Sequence, residues 1–256
     1  MLALPPFRRY DGAMKAGGGV HAVELPKRLK TIAAWVPRGA VAADIGTDHA
    51  LLPVHLVREG GCPRVIATEA SPGPWRRAAA ALAASPWRER IDLRLGDGLS
   101  TLAPGEAQVL ILAGMGGATM CGILAAAGDV LEAGPLLLLQ PMNGAWALRR
   151  WLYGHDWHLA REKLVAEKRR LFLIMAAVPG REVPDEPLDL AIGPRLIEGR
   201  DPLLPAYLAD MAARLERLAA SLAAAPHPGV EKAAAVEKLL NRIEEVRSRC
   251  LSPEKI

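Results

Sequence analysis

An open α/β sheet, mostly parallel with an antiparallel edge hairpin and followed by a C-terminal helical hairpin, is the fold this sequence predicts. Three observations carry it. Short apolar runs alternate with helical patterns from residue 40 to residue 153, and repeated βα units require a parallel sheet covered on both faces. Two strand-like segments, 157–165 and 171–178, then follow one another with no helix between them, which is the pattern of an antiparallel pair. Beyond Gly180 two apolar stripes recur at heptad spacing.

Taken in order, residues 1–22 hold Pro5-Pro6 and Gly17-Gly18-Gly19 without periodicity and read as a mobile leader. Leu25, Leu29, Ile32 and Val36 recur at helical spacing, and Pro37-Arg38-Gly39 ends that helix. A strand over Ala40–Ile45 runs into Gly46, and a helix over His49–Glu59 stops at Gly60-Gly61. Arg64–Glu69 is the second strand and Pro74–Ala84 the second helix of this series. Ile91–Leu95 alternates as a strand, Val109–Ala113 is a buried strand and Thr119–Ala127 a helix. Leu136–Gln140 is a buried strand and Ala145–Tyr153 the helix after it. Residues 23–180 thus make one domain. Arg181–Leu188, with three acids and two prolines, is a linker. Leu204, Leu208, Met211, Leu215, Leu218 and Leu222 form one stripe, and Val236, Leu239, Ile243, Val246 and Cys250 another. Pro226-His227-Pro228-Gly229 breaks the chain between them, so residues 181–256 are expected to form a coiled-coil-like antiparallel hairpin.

Composition narrows the class. With 51% hydrophobic and 23% charged residues, the 256-residue chain is neither disordered nor collagen-like. No apolar run approaches the ~20 residues of a membrane-spanning helix, and no secretory signal pattern opens the chain. Cys62, Cys121 and Cys250 are odd in number and widely spaced. A disulfide framework or cysteine zinc site is therefore not expected, and a reducing cytoplasm fits. Residues 1–180 hold 21 Lys+Arg against 15 Asp+Glu. That excess is compatible with a polyanionic partner.

The acids at the strand ends point to a ligand. Asp44 and Gly46 close the first strand of the sheet, where open parallel sheets bind ligands at their carboxyl edge. Glu69 follows Gly46 by 23 residues, the reach at which a carboxylate accepts from a ribose diol. In Gly96-Asp97-Gly98 a carboxylate stands where it can accept from an adenine amino group. A nicotinamide site would show G-x-G-x-x-G; here Asp48 and Ala50 follow Gly46, and a second carboxylate would repel a pyrophosphate. A cationic, phosphate-free nucleoside ligand such as S-adenosylmethionine suits Asp44 better. No His/Asp/Glu cluster has metal-ligand spacing, so no metal is expected.

The segment Leu29–Pro53 with its D-I-G-T-D-H-A, then G-D-G-L (Gly96–Leu99), A-G-M-G-G (Ala113–Gly117), Leu139–Pro141 and the helix L-R-R-W-L resemble the bacterial tRNA (adenine-22-N1)-methyltransferase family. Leu51, Thr68 and Met142 depart from the family's common tyrosine, glycine and asparagine. The resemblance implies a Rossmann-like class I methyltransferase fold, S-adenosylmethionine as donor and N1 of a tRNA adenosine as acceptor. It implies Asp44, Gly46, Glu69, Asp97, Gly98, Ala113, Gly114 and Met115 on the cofactor. Gly116, Gly117, Gln140, Pro141, Arg149 and Arg150 are expected on the substrate side, and Asp48 with His49 at the chemistry. Asp48 has two readings: polarising the adenine amino group, or capping a helix that starts at His49. A methyltransferase for another substrate, or an RNA-binding module without catalysis, are the alternatives. Lys27-Arg28, Arg76-Arg77, Arg149-Arg150 and Lys168-Arg169-Arg170 would together make a tRNA-binding surface; the sequence leaves the oligomeric state open, with a monomer favoured.

Overall fold

The computed structural model describes residues 24–59, 61–224 and 229–251; the expected leader and most of the break between the last two helices lie outside them. In chain order the elements are α1 (Lys27–Trp35), β1 (Ala42–Ile45), α2 (Leu51–Arg58), β2 (Val65–Glu69), α3 (Pro72–Ala83), β3 (Ile91–Leu95), β4 (Val109–Met115), α4 (Gly117–Ala125), α5 (Gly128–Glu132), β5 (Leu136–Pro141), α6 (Ala145–Gly154), β6 (Trp157–Glu167), β7 (Arg170–Pro179), α7 (Asp189–Ile192), α8 (Pro194–Glu198), α9 (Leu204–Ala223) and α10 (Val230–Leu251). The seven strands lie in the order β3-β2-β1-β4-β5-β7-β6. The first five are parallel, and β7 runs antiparallel between β5 and β6.

Strand alternation divides the core into two layers. Leu137 and Leu139 of β5 face one cluster, with Leu110, Leu112, Leu148 and Leu152, while Leu136 and Leu138 face the other, with Val109, Ile111, Ile32 and Leu56. Side chains two apart share a face, so one leucine-rich strand serves both layers. Each fully buried Leu or Ile contributes about 1.5–3 kcal/mol relative to exposure.

The boundary expected at Gly180 is not a packing boundary. Ile192 and Leu196, on the short helices α7 and α8, are fully buried in the same cluster as Leu148 and Leu152. The root of the last two helices, Leu204, Leu208, Ile243 and Val246, is buried there too, and the Arg242 guanidinium grips Asp189 at 2.8 and 2.9 Å. Farther out, Leu215, Leu218, Leu222 and Leu239 are half-buried in the expected stripes. Among the described residues no helix is long and apolar enough to cross a membrane.

Candidate active site at the carboxyl edge

β1 lies between β2 and β4, so the strand order reverses at its carboxyl end and opens a crevice. The loops around it are tied by backbone bonds. Gly46 and Thr47 N–H both donate to the Thr68 carbonyl, at 2.9 and 3.0 Å, and Gly96 N–H donates to the Glu69 carbonyl at 2.9 Å. The buried Thr68 hydroxyl reaches the Gly98 carbonyl at 3.4 Å. The β1, β2 and β3 loops therefore form one unit, which carries Asp44, Gly46, Glu69, Asp97 and Gly98. Gly46 has φ +76°, and a Cβ there would stand 2.5 Å from Met115 Cε. The left-handed backbone conformation requires glycine at this position, and the tip of the Met115 side chain fills the space beside it.

The acids differ in environment. Asp44 is buried, and burial lifts its carboxyl to about 6; the neighbouring Thr47 hydroxyl opposes this and the Glu69 charge adds to it. Glu69 accepts from Asp48 N–H at 3.1 Å and Ala70 N–H at 3.2 Å, one on each oxygen. A carboxylate has about four acceptor positions, so capacity for a diol remains. Asp97 is exposed.

Asp48 is not a helix cap. Asp48 and Ala50 have φ of 49° and 52°, α2 starts only at Leu51, and no side chain caps it. The exposed Asp48 carboxylate instead pairs with Arg77 of α3 at 2.9 Å and with His49 Nε2 at 3.5 Å. The Arg77 pair was not expected, since it spans 29 residues with no local signal.

On the β4 side, Gly114 is exposed with φ +79° and open space where a side chain would start. It sits in a bulge of the β4–β5 pairing between Ala113 and Met115. Gly116 precedes α4 and is half-buried beside Asn143. Gly117 corrects the expectation of substrate contact: it is buried, and a Cβ would lie 2.4 Å from the Gly144 carbonyl oxygen. Its role is the close approach of α4 to the Asn143-Gly144 turn, whose Asn143 carbonyl accepts the Gly117 N–H at 2.9 Å.

Three further substrate-side expectations change. Gln140 is fully buried, and its amide nitrogen donates to the Pro141 carbonyl at 3.2 Å while Oε1 has no partner. Pro141 is buried as well, so neither presents a surface to a base. Arg149 is fully buried: Nε donates to Glu162 at 2.7 Å and Nη1 to the Leu190 carbonyl at 3.0 Å. It clamps α6 to β6 and α7 from inside the core. Arg150, the next residue, is exposed. Of the other basic groups, Arg28 pairs with Glu167 at 2.5 Å and Arg77 with Asp48. Lys168, Arg169 and Arg170 lie exposed at the turn from β6 to β7. That turn is at the carboxyl edge, because β6 runs parallel to β5. Among the described residues no cluster of three His, Cys, Asp or Glu could hold a metal ion.

Known proteins share this fold. Residues 25–175 match a methyltransferase-domain family model. The tRNA (adenine(22)-N(1))-methyltransferase of Bacillus subtilis is 37% identical over 175 residues, 68% of this chain and 74% of that one. The crystal structure of the B. subtilis m1A22 tRNA methyltransferase TrmK superposes with a TM-score of 0.81 at 29% identity, covering 88% of this chain and 99% of that one. A Streptococcus pneumoniae protein solved in complex with S-adenosyl-L-methionine superposes with a TM-score of 0.78 at 29% identity, over 88% of this chain and all of that one.

Proposed function

From the premise that the chain belongs to the tRNA (adenine(22)-N(1))-methyltransferase family, we propose that it methylates N1 of an adenosine in tRNA, position 22, with S-adenosylmethionine as donor. The observation that carries this reading is the convergence of Asp44, Gly46, Glu69, Asp97 and Gly114 on one crevice at the strand-order reversal.

The residues present fit the donor. Gly114 leaves the backbone open to a ligand, and the buried Thr47 hydroxyl lies beside the Asp44 carboxyl. Asp44 is a buried acid suited to a cation. Glu69 would hold the ribose diol and Asp97 the adenine amino group. Bound there, S-adenosylmethionine supplies an electrophilic methyl group on a sulfonium. Adenine N1 has a free lone pair, so no residue must remove a proton before attack, and the methylated base is a cation. Asp48, exposed on the β1 loop, accepts from the exocyclic amino group and stabilises that developing charge. Arg77 and His49 hold its carboxylate in place.

Incubation of tRNA transcripts with the pure chain and S-adenosylmethionine, followed by nucleoside mass mapping, tests the reading. The expected product is 1-methyladenosine at position 22. Cofactor binding with no 1-methyladenosine in any tRNA would overturn it.

Glu69→Ala and Asp97→Ala are each expected to weaken S-adenosylmethionine binding about ten- to a hundredfold, the loss of hydrogen bonds to a charged acceptor worth about 1.5–3 kcal/mol. Calorimetry checks this, and wild-type affinity in both variants would move the pocket elsewhere.

Asp44 makes binding pH-dependent. A cationic ligand favours the carboxylate, so affinity should rise with pH through about 6 and level off above it, with proton uptake by the buffer below that point. The free protein behaves oppositely. Its Asp44 titrates at about 6 when folded against an ordinary value of 3.8. The penalty for the buried charge is therefore absent below the ordinary value and complete above 6, and stability falls across that window. Titration calorimetry at pH 5 and pH 7 in two buffers measures the binding effect; equal affinities with no proton release would remove Asp44 from the ligand.

A further inference from the structure

Trp146 has no part in the site described so far. It stands in the first turn of α6, two residues after Gly144, whose carbonyl packs against Gly117 at the start of α4. All six tryptophans of the chain lie within the described residues, and only Trp146 is exposed, with 52% of its surface open. Arg150, one turn later on the same helix, holds its guanidinium carbon 5.2 Å from the indole centroid. One ring face thus carries a cation while more than half of the residue stays in water. Met142, also exposed at 37%, stands on the stretch that joins β5 to this helix. Single exposed apolar residues are ordinary. An exposed indole already stacked by arginine, at the edge where the reaction takes place, is a more specific arrangement.

We infer that Trp146 and Arg150 form a stacking platform for an unstacked RNA nucleobase beside the target adenosine. The inference rests on the reading of tRNA as substrate and names the contact that receives it. A base whose ring nitrogen must reach a methyl donor has to leave its stack, and its neighbour then loses a stacking partner. Aromatic rings and arginine planes are the surfaces on which proteins receive such splayed bases. Every base offers a π-face, so the platform is tolerant of sequence. The Arg150 charge complements the adjoining phosphate.

The test uses the full chain and tRNA transcripts, with Trp146→Ala and Trp146→Phe. Trp146→Ala should raise KM for tRNA about tenfold or more with the affinity for S-adenosylmethionine unchanged. Trp146→Phe, which keeps a stacking ring, should retain most of the wild-type KM. Addition of tRNA should quench indole fluorescence in the wild type by a component missing from both variants. An abasic site next to the target should abolish that component. An unchanged KM in Trp146→Ala, together with a quench that survives the substitution, would overturn the platform. A wild-type chain that quenches with tRNA through Trp146 but forms no 1-methyladenosine would instead overturn the substrate reading and leave the platform standing.

Discussion

Arg149→Ala should lower folding stability by about 3–5 kcal/mol, the scale of breaking a buried ion pair from one side. The side chains of Arg149 and Glu162 are both fully buried, at 2.7 Å. Removing the guanidinium leaves the carboxylate in the core with only the Arg195 N–H at 3.0 Å to offset it. The Leu190 carbonyl loses its 3.0 Å donor at the same time. Gly193, with φ +132°, is part of the same arrangement, since a Cβ there would lie 2.9 Å from Arg149 Nη2. Chemical denaturation followed by circular dichroism measures the loss. The double variant Arg149→Met with Glu162→Leu should recover most of it, because replacing both charges by apolar groups of similar size removes the stranded carboxylate. A single variant that unfolds like wild type but binds tRNA poorly would return Arg149 to the substrate side.

Asp48→Asn should reduce kcat by about 10²–10³-fold, the effect of one pre-organised electrostatic group, while leaving S-adenosylmethionine affinity nearly unchanged. Asparagine is the informative replacement. It tolerates the left-handed backbone at φ 49° and still accepts a hydrogen bond through its carbonyl, but it has no charge to offset the cationic product. The backbone N–H of residue 48, which donates to Glu69, is kept. The lost partners are exposed ion pairs, with Arg77 and Asp48 side chains 53% and 55% accessible; such pairs contribute about 0–1 kcal/mol, so the variant should fold. Single-turnover kinetics with saturating tRNA reads the chemical step directly. A stable Asp48→Asn variant with wild-type kcat would leave Asp48 a loop acid held by Arg77.

Much of the sheet was legible in the chain itself. Apolar alternation and the placing of Gly and Pro act over a few residues, so β1 to β7 emerged near their observed bounds. The markers of the carboxyl-edge site were equally local: Asp44-Ile45-Gly46, Glu69 and Gly96-Asp97-Gly98 each sit at a strand end, and parallel pairing carries all strand ends to one edge. A helix start at His49 was not to be had from residue type, because the positive φ of Asp48 and Ala50 delays α2 to Leu51 and nothing in the local sequence announces that.

By itself the sequence determined the layered α/β class, the acids and glycines at the carboxyl edge and the two terminal helices. Each of these is set by periodicity or by the chemistry of neighbouring residues. The tertiary structure alone decided which arginine of Arg149-Arg150 is buried, which glycine of Gly116-Gly117 meets a backbone, and where Asp48 finds its cation. It also decided that the segment after Gly180 closes the main core through α7 and α8, helices of four and five residues too short to show a period. The physical reason is the same in every case. Consecutive residues on a helix point about 100° apart, and which of them is covered depends on chain segments tens of residues away, such as the Leu190 carbonyl 41 positions beyond Arg149.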